Sequence, residues 1–463
     1  MTLPSYPVYK DSGVEWLEEV PEHWAIFSLK RSVDGCTNGL WGEEPDGAND
    51  IAVIRVADFD RSTSRVGLDK LTYRSITQKE RASRLLQSGD LLIEKSGGGE
   101  KTLVGCVVLF EHTFQAITSN FVSRMRPLRA FDSGFLCYAF DSLYQGKVNY
   151  PAIKQTTGIQ NLDSESYLQE RFCFPPLAEQ TQIARFLDHE TARIDALIEE
   201  QQRLIELLKE KRQAVISHAV TKGLDPTVPT KDSGVEWLGE VPAHWDQIRI
   251  KHILTSMIDA EHKTAEYSED GEYLVCRTTN VRNGRLSLEG AKYADENTYL
   301  EWSRRGKPEP LDILFTREAP AGEACVVPES PTICLGQRMV LFKINKGRVD
   351  PEFVVHSIYA GLASAFVRQL SQGSTVSHFN MADIGNIPLF EPPLCEQKEI
   401  TEFLAARCGA YDSLIQEAEL SVHLISERRS ALISAAVTGK IDVRGWQPPV
   451  STQAPKLEVA EAD

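Results

Sequence analysis

Two stretches of the chain carry apolar residues at alternating spacings of three and four. Gln180, Ile183, Leu187, Glu190, Ile194, Leu197, Gln201, Leu204, Leu208, Lys211 and Val215 make the first series. Such a seam, apolar with some polar positions, predicts a long amphipathic helix. Ile400, Leu404, Tyr411, Leu414, Ala418, Ile425 and Leu432 make the second. Residues 188–191 are expected to interrupt the first seam, with Asp188 or Thr191 as a new N-cap. From residue 190 to residue 219 an unbroken helix would run roughly 45 Å, at about 1.5 Å per residue. Neither stripe can be buried alone, so the two helices are predicted to pair; packing of each on its own domain is the alternative. Elsewhere the pattern shortens. Residues 51–56, 91–94, 103–110, 273–276, 311–316, 324–327 and 338–344 are short β-rich runs between Gly, Pro, Asn and Asp. Helices are expected near 134–146 and 351–370.

The long series are two copies of one pattern. Residues 10–24 read KDSGVEWLEEVPEHW and residues 231–245 read KDSGVEWLGEVPAHW, alike at 13 of 15 positions. PPLAEQ at 175–180 returns as PPLCEQ at 392–397, an offset of 217 that carries through Ile183/Ile400, Asp195/Asp412 and Thr221/Thr438. Between these repeats lie two blocks of about 140 residues with only faint likeness. Residues 54–58 loosely echo 276–280, and the 89–93 strand resembles 311–315. A near-constant framework with divergent inserts suits a protein that holds two alike partners and reads two unlike targets. The repeat begins mid-pattern, so the N-terminal element is predicted to pack near the end of the second long helix.

Charge alters this picture little. The chain has 463 residues and a net charge of −16, which taken alone disfavours nucleic acid. However, residues 25–165 hold 17 Lys+Arg against 17 Asp+Glu, and residues 246–389 hold 16 against 19. Most of the acidity therefore lies outside the inserts, and each insert could present a basic face. The length requires two or more domains. No long apolar run or signal-like start is present, and the nine cysteines are scattered without a CxxC pair. Small buried cysteines in a reducing cytoplasm are expected.

Catalytic motifs are not found. KSGGGEKT at 95–102 lacks both glycines of a phosphate loop, with Lys95 and Glu100 in their places. No methyltransferase Asn-Pro-Pro-aromatic motif, no GxGxxG and no metal-binding histidine spacing occurs. The Glu-x-Lys triplet at 396–398 falls in a repeated helix start, so a structural role is expected, and the triplet at 261–263 lacks a partner strand. His23 and His244, each between Pro and Trp in the repeated element, are read as packing residues.

Together the doubled KDSGVEWL element, the two PPL-x-EQ elements running into long helices and the 89–93 and 311–317 strands resemble the specificity subunits of type I restriction-modification systems. The resemblance spans nearly the whole chain. It implies an α+β protein in which two mixed α/β target-recognition domains are joined by two long antiparallel helices, with pseudo-twofold internal duplication. The implied divisions are a repeat element at 1–24, a first recognition domain at 25–172, a first spacer helix at 173–222 and a linker with the second repeat element at 223–245. A second recognition domain at 246–389, a second spacer helix at 390–440 and a flexible tail at 441–463 follow. Each domain would read half of an asymmetric, split double-stranded DNA site, and the helices would set the unread spacing. Two modification (methyltransferase) subunits would dock on the framework and restriction/translocase subunits would join them, carrying S-adenosylmethionine, ATP and Mg themselves. No catalytic or metal site is expected on this chain, and none of it in a membrane.

Residue types suited to base-edge or phosphate contacts nominate Arg55, Lys95, Ser96, Lys101, Thr102, Thr156, Thr157, Gln160 and Asn161 in the first domain. In the second they nominate Arg277, Thr278, Thr279, Asn280, Arg317, Arg338, Ser374, Thr375, Ser377 and His378. Three other readings stay open: a related system whose partner fuses methylation and cleavage, a coiled-coil adaptor that reads no DNA, and an enzyme acting alone.

Overall fold

The computed structural model describes residues 4–97, 102–156, 158–236, 238–360, 363, 365–368 and 379–449. Two compact units divide the chain, residues 1–201 with 420–463 and residues 202–419. The long helices span Leu177–Lys222 and Leu394–Val437, so each unit takes part of both.

In the first unit the insert is closed at its neck. Strand Ala25–Ser28 enters and strand Arg171–Phe174 leaves, paired antiparallel with Phe27 opposite Phe172. The implied boundary at 172/173 therefore cuts a strand, and the helix starts only at Leu177. Beyond the neck, Asp90–Glu94 lies between Val107–Phe110 and Val122–Met125. Its residues alternate between two cores. Leu91 and Ile93 pack with Phe135, Leu136 and Phe140 of helix Ser133–Gln145, while Leu92 packs with Ala52, Ile54 and Phe110. A strand covered on both faces must be apolar throughout, which explains the run Leu91-Leu92-Ile93.

The second unit repeats this plan. Asp246–Arg249 pairs with Pro388–Glu391 at the neck. Ile313–Thr316 lies between Ala324–Val326 and Met339–Ile344, with Ile313 and Phe315 in one core and Leu314 in the other. Helix Pro351–Ile358 covers the first of these. In both units a parallel pair backs the central sheet, Ala116–Thr118 on Asp50–Ile54 and Ile333–Leu335 on Tyr273–Cys276. The inserts, faintly alike in sequence, share one fold.

The framework repeats bond for bond. Trp24 Nε1 donates to Glu179 Oε1 at 3.0 Å, and Trp245 Nε1 to Glu396 Oε1 at 3.0 Å. His23 Nε2 and His244 Nε2 each lie 2.8 Å from the other oxygen of the same glutamate, so the histidines are hydrogen-bond partners more than packing residues. Lys10 Nζ and Lys231 Nζ donate to the carbonyls of Trp24 and Trp245. Gln180 and Gln397 each donate to a proline carbonyl and accept the backbone N–H of the aspartate capping the reader's helix, Asp132 or Asp350. Every matched residue of the HW and EQ pairs thus has a matched bond. The Glu396–Lys398 triplet is structural, as expected.

Within each unit the long helices run antiparallel. In the first, Asp195 meets Arg429 at 2.8 Å while the earlier Gln182 donates to the later Trp446 carbonyl at 2.6 Å. In the second, Arg212 meets Asp412 at 2.9 Å, and Ile216 and Val220 pack with Leu404 and Ile400. Asp195 and Asp412 are duplicates at the 217 offset, and so are Arg212 and Arg429. Each pair is one half of a reciprocal exchange. Asp195→Ala leaves Arg429, 13% exposed, without its carboxylate and is expected to cost about 1–2 kcal/mol. A urea titration reads this as a lower midpoint for the first unit; an unchanged midpoint would mean that the pair contributes nothing.

Two expectations about the first helix are corrected. It does not break at 188–191: Thr191 Oγ1 donates to the Leu187 carbonyl four residues back at 2.7 Å instead of capping a new helix. The column through 187, 194, 201, 208 and 215 is buried or half-buried as expected, but the second column sits one residue later. Thr191 and Ile205 are buried, whereas Leu197 and Leu204 are 48% and 43% exposed. Polar residues hold inward places because partners meet them there: Tyr138 Oη with Thr191, and Asp412 with Arg212. An apolar count passes over such positions.

The N-terminal element closes on the second helix within the first unit, as its mid-pattern start implied. Tyr9 Oη donates to the Gly439 carbonyl at 3.1 Å, and Asp442 N to the Pro4 carbonyl at 2.7 Å. Gly439 has φ +74°, and a Cβ there would stand 2.4 Å from the Pro21 ring, so only glycine fits. All nine cysteines are free and seven are buried.

Candidate nucleic-acid interface

The structure sorts the sequence candidates into two groups. The first is tied into the fold. Arg55 precedes a 3-10 turn and binds Asp58 through Nη2 at 2.7 Å and its backbone N–H at 2.8 Å. That carboxylate holds the guanidinium pKa above its ordinary value. Arg277 has the same place before its own turn, its N–H donating to Asn280 Oδ1 at 3.1 Å and its Nη2 to the Gly290 carbonyl at 2.6 Å. Asn280 is fully buried and donates to the Ser287 carbonyl. Thr278 is buried, its hydroxyl on the Ala319 carbonyl at 3.0 Å, and buried Gln160 accepts the Val104 N–H at 3.1 Å. Arg317 bonds Asp259 at 2.6 Å and the Phe379 carbonyl at 2.8 Å. The polarity of these side chains is thus used in bonds within the fold.

The second group reaches solvent. In the first domain Lys95 Nζ donates to Asn38 Oδ1 at 3.0 Å and Ser96 Oγ to Asn161 Oδ1 at 2.6 Å. Lys95, Ser96 and Asn161 are thereby brought together by the pairing of residues 96–97 with the Ile159–Leu162 strand. Thr102 and, in the second domain, Thr279 are exposed. Arg338 is 46% exposed, its Nε 3.1 Å from Glu318 Oε1. Lys101, Thr157, Ser374, Thr375, Ser377 and His378 lie outside the described residues, as does the side chain of Thr156.

Sequence reasoning missed four members of these clusters. Asn38 accepts from both Lys95 and Ser123. Asp259 takes the equivalent place under Arg317. Glu94 is a buried carboxylate whose pKa burial raises, with Arg61 2.6 Å away opposing the shift. Phe121 is 46% exposed, and its carbonyl accepts the N–H groups of Lys95 and Ser96 at 2.8 and 3.2 Å. Only an exposed aromatic beside a turn could have signalled Phe121, and exposure is not visible in a sequence.

One equivalent site differs between the units. Tyr138 Oη donates to Asp188 at 2.8 Å in the first. In the second His356 occupies that place, and burial, with Arg212 and Arg285 nearby, depresses its pKa to about 4. It faces a groove of about 900 Å³ and is neutral at pH 7. Among the described residues no group of three His, Cys, Asp or Glu could hold a metal, and no helix is long and apolar enough to cross a membrane.

Two inserts of one fold, differing in their exposed side chains, thus belong to a duplicated framework. Residues 242–411 match the family described as type I restriction modification DNA specificity domain. The chain is 25% identical over 316 residues to the type I restriction enzyme MjaVIII specificity subunit of Methanocaldococcus jannaschii, covering 66% of this chain and 70% of that one. It is 23% identical over 374 residues to the EcoKI specificity subunit of Escherichia coli K12, covering 79% and 77%. Its fold matches a chain solved in work on complex assembly and conformational transition of the type I R-M system. The TM-score is 0.64 at 14% identity, over 90% of this chain and 98% of that chain. Over most of its length the chain is thus similar to type I specificity subunits, and residues 242–411 carry the DNA specificity domain of that family.

Proposed function

We propose that the chain reads an asymmetric, bipartite double-stranded DNA site, one half-site per recognition domain, and assembles the catalytic subunits without catalysing a step itself. One observation carries the reading. The bonds of the repeated His-Trp and Glu-Gln pairs are duplicated one for one, while equivalent exposed places in the two readers hold different side chains. Alike docking surfaces suit two modification subunits, and unlike readers suit two half-sites. Restriction/translocase subunits would join that core. S-adenosylmethionine, ATP and Mg belong to those partners in this reading, and the complex works in the cytoplasm.

The domain divisions given above stand as part of the proposal, with each reader bounded by its neck strands and with residues 441–446 packed on the framework instead of belonging to a flexible tail. Gln160, Thr278 and Asn280 are spent inside the fold, so the DNA-facing set narrows to the half-buried Lys95 and Ser96 and the exposed Asn161, Thr279 and Arg338. The long helices act as the spacer between half-sites.

Long-read methylation mapping of a host with and without this gene tests the proposal. A split, adenine-methylated motif is expected to vanish on deletion and return on complementation. Its persistence after deletion would overturn the reading. A gel-shift titration of the chain with its methyltransferase partner should show sequence-selective, salt-dependent binding. Binding without selectivity would favour the adaptor.

A further inference from the structure

Strand registers allow the two readers to be matched residue by residue. Val122 lies opposite Glu94, and Met339 opposite Thr316, so Lys95 corresponds to Arg317. Ser119 N donates to the Ile54 carbonyl at 2.9 Å, and Gly336 N to the Cys276 carbonyl at 2.8 Å. Each unit then makes a two-residue turn, Asn120-Phe121 or Gln337-Arg338, before strand Val122–Met125 or Met339–Ile344 begins. Lys95 N donates to the Phe121 carbonyl at 2.8 Å, and Arg317 N to the Arg338 carbonyl at 2.9 Å. Phe121 and Arg338 are therefore the same position in two copies of one fold.

Both are 46% exposed, and their chemistry could hardly differ more. A large apolar side chain at a polar tip buries little, and folding gives no reason to keep it there. Arg338 adds a second sign, a φ of +73°. Backbone in that region is strained for any residue but glycine, and a side chain retained under strain points to use. The tip is also flanked by the polar cluster of its reader: Lys95, Ser96 and Asn38 in the first unit, Arg317 and Asp259 in the second.

We infer that this turn is the equivalent base-reading tip of the two domains, and that Phe121 and Arg338 are residues that make the two half-sites differ. Guanidinium forks pair with guanine O6 and N7 in the major groove, whereas an apolar ring makes its favourable edge contact with the thymine methyl. Arg338 therefore reads a G·C pair in the half-site of the second domain. Phe121 reads a T·A pair in the half-site of the first. The inference rests on the DNA-reading function proposed above.

The test maps methylation by complexes of the full chain with its modification partner, comparing wild type with Phe121→Ala, Arg338→Ala and Arg338→Gly. The glycine variant removes the side chain and relieves the backbone, so a result shared by Arg338→Gly and Arg338→Ala is not a folding effect; intact assembly is checked by gel filtration. Each Arg338 variant should lose about 5- to 150-fold in discrimination at one G·C position of one half-site. Phe121→Ala should relax one T·A position of the other half-site. Unchanged motifs in assembled complexes would overturn the inference, and so would a uniform loss at both half-sites or relaxation at a base pair of the other kind. If the wild-type complex gives no split motif, the reading of function fails instead.

Discussion

Trp24→Ala should destabilise the first unit by about 3–5 kcal/mol, the range for truncating a fully buried aromatic. Trp24 has no exposed surface and packs in the cluster that joins Leu17, Val20, Ile183, Phe186 and Val437. Its loss therefore opens a cavity where the N-terminal element, the start of the first helix and the end of the second converge. It also removes the Nε1 donor from Glu179, a carboxylate 8% exposed. Trp24→Phe keeps most of the volume and loses only that bond, so it should cost about 1–2 kcal/mol. Trp245→Ala should act alike in the second unit, where Glu396 has the same partners. For units of this size the alanine variants are expected to melt on the order of 10 °C lower, measured by scanning calorimetry. If Trp24→Phe falls as far as Trp24→Ala, the hydrogen bond and not the packing holds the clasp.

The second large effect is on function. Adding one heptad to both long helices, after Gln201 and after its duplicate Ala418, keeps both antiparallel registers, Asp195 with Arg429 and Arg212 with Asp412. The insertion lengthens the helices by about 10.5 Å, at 1.5 Å per residue. Duplex DNA advances about 3.4 Å per base pair, so the unread spacer should grow by about three base pairs while both half-sites stay the same. Methylation mapping reads the result directly. An unchanged spacer in an active complex would defeat the role proposed for the helices. A heptad added to one helix alone shifts one column against the other and should weaken assembly, which supplies the control.

Much of this organisation is legible because duplication writes it twice. The matched His-Trp and Glu-Gln pairs could be seen in the sequence, and the structure supplies the bond between them. The 3–4 spacing located both helices, and the resemblance implied their antiparallel order. The second seam column was misplaced because Thr191 and Arg212 face inward on partners that lie far away in the chain. Candidate readers fared unevenly for a related reason. Arg55, Arg277 and Asn280 are polar residues in loops, but those loops start 3-10 turns: Asp58 and Asn280 accept the N–H groups of Arg55 and Arg277, and the two guanidiniums donate to Asp58 and to the Gly290 carbonyl.

By itself, the sequence determined that a framework is repeated, that it carries two long amphipathic helices, and that the inserts between are mixed α/β and free of recognisable catalytic motifs. Periodicity and identity between copies are local or linear properties, so they survive without coordinates. Only the tertiary structure decided that the two inserts are one fold, and that Phe121 and Arg338 occupy one place in it. That equivalence lies in strand register and in backbone bonds such as Lys95 to Phe121 and Arg317 to Arg338. Those bonds depend on main-chain geometry and tolerate almost any side chain, so divergence erased the likeness from the sequence while leaving it in the fold.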